Sequence, residues 1–109
     1  MINIDEFKKV EMRIGHILAV EKVPDADKLL RLTVDLGEEK PRQIISGIAL
    51  YFPDPQVLVG KRVPFVANLE YRTIRGYESQ GMIMATSNDK GFFSLLEAKP
   101  DTPPGSIIK

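Results

Sequence analysis

The sequence contains no cysteine and no tryptophan, and it has one histidine among 109 residues. Without cysteine there are no disulfide bonds, thiolate metal sites or thiol nucleophiles, which fits a reducing compartment. A serine nucleophile needs a base and an orienting acid, and a lone His16 with no Gly-x-Ser-x-Gly turn supplies neither. Zinc and calcium sites lack their ligand sets. We therefore expect no catalytic residue, no metal site and no cofactor.

Long apolar runs are also missing, since the longest covers only a few residues, whereas a membrane span needs ~20. Residues 1–10 lack the apolar stretch of a signal peptide. These features predict a soluble, cytoplasmic protein that does not bind membranes. The 15 basic residues equal the 15 acidic residues in number, so a polyanionic partner has to be held by a local patch.

The chain length and its 43% hydrophobic content predict one compact domain, residues 1–109, with a single core. Apolar residues alternate with polar ones in short segments bounded by turns, which is the pattern of β-strands. Five core strands are predicted, at residues 12–21, 30–36, 42–46, 63–67 and 79–85. Gly15 is predicted to form a bend or bulge in the first of them.

Helical content is predicted to be small. Apolar spacing of three indicates one or two helical turns at residues 4–10, and an apolar segment at 48–52 indicates another turn. A further short strand at 92–96 and a turn before residues 107–108 form a C-terminal extension. Together these elements predict an all-β protein with small α content, either a closed barrel or a sandwich, and we favour a five-stranded OB-fold barrel. Periodicity alone does not separate it from an SH3-like barrel.

Residues 61–86 hold a local excess of positive charge. Four Lys/Arg against two Asp/Glu give this segment a net charge of +2, whereas residues 1–40, with seven against nine, carry −2. Hydroxyl and amide side chains and two glycines accompany the basic groups, a mixture that suits recognition better than packing. In an OB barrel, residues 68–82 fall between the last core strands, where an oligonucleotide-binding loop lies.

Short motifs in a specific order and spacing carry a resemblance to a known family. They are Asp5-Glu6-Phe7-x-Lys9-Val10, Met12-Arg13-Ile14-Gly15, Ala26-Asp27-Lys28-Leu29, Val34-Asp35-x-Gly37, Arg42, Ser46-Gly47-Ile48, Leu58-x-Gly60-Lys61, Asn68-Leu69, Arg75-Gly76, Ser79-x-Gly81-Met82 and Pro104-Gly105. With these motifs the chain resembles the tRNA-binding domain family. That family occurs appended to methionyl-tRNA synthetase (C-terminal or β-subunit type), as free-standing structure-specific tRNA-binding proteins, and in the endothelial monocyte-activating cytokine precursor. The resemblance implies an OB-fold barrel, usually dimeric, that binds tRNA by shape.

The resemblance also implies a set of tRNA-binding residues. They are Lys28, Arg42, Ser46, Asn68, Arg72, Arg75, Ser79, Gln80 and Met82. The four basic residues are assigned to phosphates, while Asn68, Ser79 and Gln80 are assigned to sugars or base edges, and Met82 offers an apolar surface. These residues also have alternatives that need no RNA, and the four basic side chains can simply be solvated on the barrel surface. Asn68 can cap the loop backbone, Ser46 and Ser79 can satisfy buried backbone groups, and Met82 can belong partly to the core.

One segment departs from the family pattern. Where the family commonly reads Asn-Leu-Lys-Pro-Arg-Lys, residues 68–73 read Asn-Leu-Glu-Tyr-Arg-Thr. Two lysines are lost and Glu70 is gained, which should lower RNA affinity and flatten its salt dependence by roughly two to three units if all these positions face phosphate. Stacking of Tyr71 on a base can offset part of that loss.

The resulting hypothesis is a non-catalytic tRNA-binding module, free-standing or appended to methionyl-tRNA synthetase. Its expected partners are tRNA, a second copy of the chain in a homodimer, and the synthetase catalytic domain. The apolar segments at 48–52 and 92–108 exceed what so small a barrel needs to bury, which favours the dimer. The alternative is an export-related, peptide-binding, chaperone-like dimer of the same fold, and a third hypothesis is a purely structural dimerisation module.

Overall fold

Nine β-strands and one short helix form the chain, described over residues 1–109 by a computed structural model. Helix α1 spans Ile4–Phe7. The strands are β1 Met12–Lys22, β2 Leu30–Asp35, β3 Arg42–Ser46, β4 Arg62–Val66, β5 Arg72–Ile74, β6 Tyr77–Ser79, β7 Met82–Ile83, β8 Ala85–Ser87 and β9 Phe93–Leu95. Two 3-10 helices, Ala49–Tyr51 and Pro55–Leu58, lie between β3 and β4. The helices have at most four residues, far fewer than a membrane-spanning helix requires.

Five strands build one antiparallel sheet in the order β3-β2-β1-β4-β7. Strict alternation along β2 buries Leu30, Leu32 and Val34 completely, and these side chains join Phe65 in the core. The sheet curls until β3 approaches the chain between β6 and β7, where the Gln80 amide donates to the Gln43 carbonyl at 2.8 Å. The result is a nearly closed five-stranded barrel of OB-like type, which confirms the predicted fold class.

The first strand bends at a different residue from the one predicted. Gly15 pairs regularly with Val63, and the register shift lies instead between Ile17 and Ala19, leaving Leu18 exposed. Gly15 has another role, because a Cβ atom there would lie 2.5 Å from a methyl group of Val34 and 2.6 Å from the Phe65 ring. Its missing side chain is therefore a packing requirement of the core.

The predicted fifth strand is broken into pieces. Residues 79–85 are divided among β6, β7 and β8, and the segment before them, predicted as a loop, contains the β5–β6 hairpin. Only Met82–Ile83 joins the main sheet, opposite Phe65 and Val66. The C-terminal extension is confirmed, because the Ile14 amide donates to Ser106 and the Gly105 amide donates to Ile14, which ties the tail to β1.

Candidate nucleic-acid interface

The β5–β6 hairpin is the element around which the candidate interface is built. Its two-residue turn is formed by Arg75 and Gly76, which have φ values of 52° and 84°. Two positive φ values in succession are typical of the type I′ turn that suits the twist of a tight hairpin. Arg75 is thereby held at the tip, fully outside the barrel.

Side chains of β6 and of the residue that follows it attach this hairpin to β3. The buried Ser79 hydroxyl accepts a hydrogen bond from the Ile45 amide at 3.0 Å, and the Gln80 Oε1 atom accepts one from the Gln43 amide at 3.0 Å. The Gln43 side chain in turn donates to the Glu78 carbonyl at 2.9 Å. Side chains therefore satisfy the edge of β3 where no regular strand pairs with it. Both Ser79 and Gln80 are engaged in closing the barrel, as the alternative role of Ser79 anticipates.

Arg42 lies at the same seam of the barrel, the contact between β3 and the segment from β6 to β7. Its guanidinium forms two bonds to Glu38, at 2.7 and 2.8 Å, and donates to the carbonyls of Ala67 and Gln80. The hydrogen bonds between the two side chains lower the pKa of Glu38 and raise the pKa of Arg42 from their ordinary values. Four of the five N–H donors of Arg42 are thus used inside the chain. Its assignment to a phosphate stays a prediction that the geometry does not favour.

Asn68 connects the hairpin segment to the N-terminus. Its Oδ1 atom accepts from the Glu11 amide at 2.8 Å, and its Nδ2 atom donates to the Lys9 carbonyl at 2.6 Å. The side-chain amide thus bridges the backbone on either side of Val10. This is the backbone-capping alternative given for Asn68, although the residue remains exposed.

The remaining basic residues of the set are exposed and form no ion pair or side-chain hydrogen bond. Lys28 and Arg75 line one cleft of about 500 Å³, together with Asp25, Asp27 and Ile74. The hairpin tip and the turn between β1 and β2 therefore present one ammonium and one guanidinium side by side, with two carboxylates nearby.

Arg72 lies on the other side of the hairpin. It lines an open groove of about 510 Å³ whose walls include Leu69, Glu70, Ser79 and Met82. Met82 is 49% exposed, so it is a surface residue and the partial core role considered for it is not observed. Arg72, Ser79 and Met82 of the predicted set meet here, whereas Ser46 lies at the end of β3 opposite Leu30, with no side-chain hydrogen bond.

Two residues near the hairpin were not among the predicted contacts. The Arg31 guanidinium lies 5.3 Å from the centre of the Tyr77 ring and is paired with Glu21 at 2.8 Å. Alternation along β2 was the available signal, since it turns Arg31 outward between two buried leucines. The guanidinium and the ring therefore pack against each other and join β2 to the hairpin.

The arrangement suits a polyanion with exposed bases. Three unpaired cations face two neighbouring concavities, and apolar side chains line the groove. No group of three or more His, Cys, Asp or Glu side chains is placed to hold a metal ion. His16, the one histidine, is half-buried on β1 with no side-chain hydrogen bond.

Comparison with known proteins gives a family for this chain. The profile described as "Putative tRNA binding domain" matches residues 12–107. The methionine–tRNA ligase of Enterococcus faecalis is 45% identical over 107 residues, and the match covers 98% of this chain. It covers 16% of that ligase, so the chain spans about a sixth of the length of such relatives.

Two solved structures superpose over the whole chain. The MetRS related protein of Pyrococcus horikoshii has a TM-score of 0.93 at 35% identity, covering 100% of this chain and 98% of that one. The chaperone CsaA of Bacillus anthracis has a TM-score of 0.86 at 26% identity, covering 100% and 99%. The same barrel is therefore found in a protein described by its relation to a synthetase and in one described as a chaperone.

Proposed function

This chain belongs to the tRNA-binding domain family, and from that premise we propose that residues 1–109 act as one non-catalytic domain that binds tRNA by shape. The observation that carries the proposal is the division of the predicted contact residues into two groups. Arg42, Asn68, Ser79 and Gln80 use their polar atoms inside the fold. The unpaired Lys28, Arg72 and Arg75 form the contact group proper, with Met82 beside Arg72 in the groove, while Ser46 lies apart at the end of β3.

Shape recognition follows from how these three cations are held. Arg75 sits on a tight two-residue turn and Arg72 on a paired strand, so the spacing of their backbone positions is set by the hairpin. Lys28 lies in the turn between β1 and β2, so it adds a cation on the other wall of the cleft that Arg75 lines. Cations at defined positions read the spacing of phosphates in a folded RNA, and phosphate contacts carry no sequence information.

The relatives suggest how such a module serves aminoacylation. In them, the matching segment is a small part of a methionine–tRNA ligase. A domain that holds tRNA raises its local concentration at a catalytic domain to which it is linked or bound. We propose that role for this chain, with the synthetase catalytic domain as a partner and the cytoplasm as the compartment.

We also propose that the domain works as a homodimer. Exposed apolar side chains of the N-terminal segment and the C-terminal tail line one groove, which includes Ile4, Phe7, Val10 and Ile107. A second copy related by a two-fold axis would cover this surface and double the number of basic hairpins available to one tRNA. Analytical ultracentrifugation tests the dimer, and a monomer at micromolar concentration would refute it.

The proposed function is tested by tRNA binding across a salt series. We expect tighter binding to folded tRNA than to a single strand of equal length, with affinity that falls steeply as salt rises. The double variant Arg72→Ala, Arg75→Ala should lose most of that affinity. A matched control, Lys90→Ala with Lys99→Ala, removes the same charge from residues outside the cleft and the groove and should change little.

Two results would contradict the proposal. Equal losses in both double variants would mean that only overall charge matters. Absence of tRNA binding at low salt, together with binding of an unfolded polypeptide, would favour the chaperone-like alternative, which the likeness to CsaA supports in fold alone.

A further inference from the structure

The groove beside β5 differs from the neighbouring cleft in its chemistry. Its walls are largely apolar, formed by Leu69, Met82, Ile45 and Ile74, and Leu69 and Met82 are exposed. The polar groups of phosphate and ribose are not stabilised by contact with apolar walls, whereas the flat face of a nucleobase is. The cleft lined by Lys28 and Arg75 is more polar, since Asp25 and Asp27 also line it.

Two side chains of opposite charge line this groove without a partner in the chain. Glu70 and Arg72 both line it, yet neither takes part in an ion pair or a side-chain hydrogen bond within the chain. Four of the eight glutamates, Glu11, Glu21, Glu38 and Glu97, are paired with basic side chains, and Glu70 is one of the four that are not. A carboxylate accepts hydrogen bonds only, so Glu70 is complementary to an N–H donor of a ligand.

We propose that this groove binds one unstacked nucleobase and that the Glu70 carboxylate accepts a hydrogen bond from its exocyclic amino group. The proposal rests on the proposed function and adds base preference to shape recognition. Adenine, cytosine and guanine carry such an amino group. Uracil has none, and its single N3–H lies between two carbonyl oxygens that a carboxylate repels. Arg72 binds the adjacent phosphate and offsets the negative charge of Glu70. Glu70 is then a specificity determinant.

The test measures binding of oligoadenylate, oligocytidylate and oligouridylate of equal length at low salt, alongside folded tRNA. We expect the first two to bind about five- to tenfold more tightly than oligouridylate, as one base-edge hydrogen bond allows. Glu70→Gln should reduce that ratio below about twofold, because the amide also donates a hydrogen bond to the uracil carbonyl. Affinity for all three oligonucleotides should rise, since a negative charge is removed.

Two control variants separate base reading from charge and from packing. Asp89→Asn makes the same change of charge in the β8–β9 turn, outside the groove, and should leave the ratio unchanged. Met82→Ala removes apolar surface and should weaken all three oligonucleotides by a similar factor. A ratio that survives Glu70→Gln, or that disappears with Asp89→Asn, would overturn the proposal.

The two proposals fail in different ways. If folded tRNA binds with strong salt dependence but the wild-type chain shows no base preference, the base subsite is refuted and the tRNA-binding function stands. If neither tRNA nor any oligonucleotide binds, both are refuted.

Discussion

Replacing Arg42 with methionine should destabilise the barrel more than it changes the electrostatics of RNA binding. Methionine keeps an unbranched apolar stem, so the packing of the side chain is largely preserved while every donor is removed. The carbonyls of Ala67 and Gln80, on two separate segments, both lose their guanidinium donor. Since β3 has no continuous strand partner at this seam, closure depends on the Arg42 bonds together with the hydrogen bonds of Gln43, Ser79 and Gln80.

The size of the effect follows from the partners. Each lost bond to a half-buried carbonyl costs about 1 kcal/mol. The Glu38 carboxylate is 37% exposed, so its ion pair is screened and adds about 0–1 kcal/mol. Arg42→Met should therefore reduce the free energy of unfolding by about 2–3 kcal/mol.

Urea denaturation at pH 7 measures this loss, with Glu38→Gln as the matched control. That variant keeps the carbonyl bonds and should cost no more than about 1 kcal/mol. In a tRNA salt series, Arg42→Met should keep the wild-type slope, whereas Arg75→Met should lower it by about one unit. The reasoning is refuted if Arg42→Met is no less stable than Glu38→Gln, or if it lowers the slope as Arg75→Met does.

Three further outcomes are expected. Because the pKa of Glu38 is lowered from 4.5 in the folded state, its ion pair stabilises the fold above that pH and is lost as the pH falls through the lowered value. Urea denaturation should therefore show that Glu38→Gln loses less stability than the wild type between about pH 5 and 3. Parallel pH profiles of the two proteins would contradict this. Gly15→Ala should lower the melting temperature through a clash with Phe65, at a cost of about 1–3 kcal/mol, while Gly47→Ala, which meets nothing within 4 Å, should be nearly neutral; equal effects would refute the packing argument. Asn68→Ala should cost about 1–2 kcal/mol and speed amide hydrogen exchange of Glu11, and unchanged exchange would exclude the bridging role.

Regular parts of the fold were predictable because their residues act locally. Leu30, Leu32 and Val34 alternate with polar residues, and alternation requires a strand with one buried face whatever it packs against. The position of the bulge, after Ile17 and not at Gly15, was less predictable, since it depends on the register of β1 with β2 and β4. The β5–β6 hairpin was missed because only three residues pair on each side, too few for a periodic signal.

The candidate site was predictable in residue type and only partly in role. Of the four basic residues at 61–86, Lys61 is paired with Glu97 at 3.1 Å, and Arg62 donates to the Thr102 carbonyl at 3.0 Å, so both hold the C-terminal tail. Arg72 and Arg75 remain free. Each of these side chains carries the same charge in the sequence, and only the partner brought near by folding distinguishes them.

By itself, the sequence determined the barrel, its family and the segment that holds two of the three exposed cations, because strand periodicity, turn chemistry and motif spacing are properties of neighbouring residues. The tertiary structure decided which polar side chains are consumed at the seam of the barrel and which are left for a ligand. Arg42 meets the carbonyls of Ala67 and Gln80 across 25 and 38 residues of chain, and Asn68 meets Lys9 across 59. Hydrogen bonds over such separations depend on how the sheet closes, which no local pattern records.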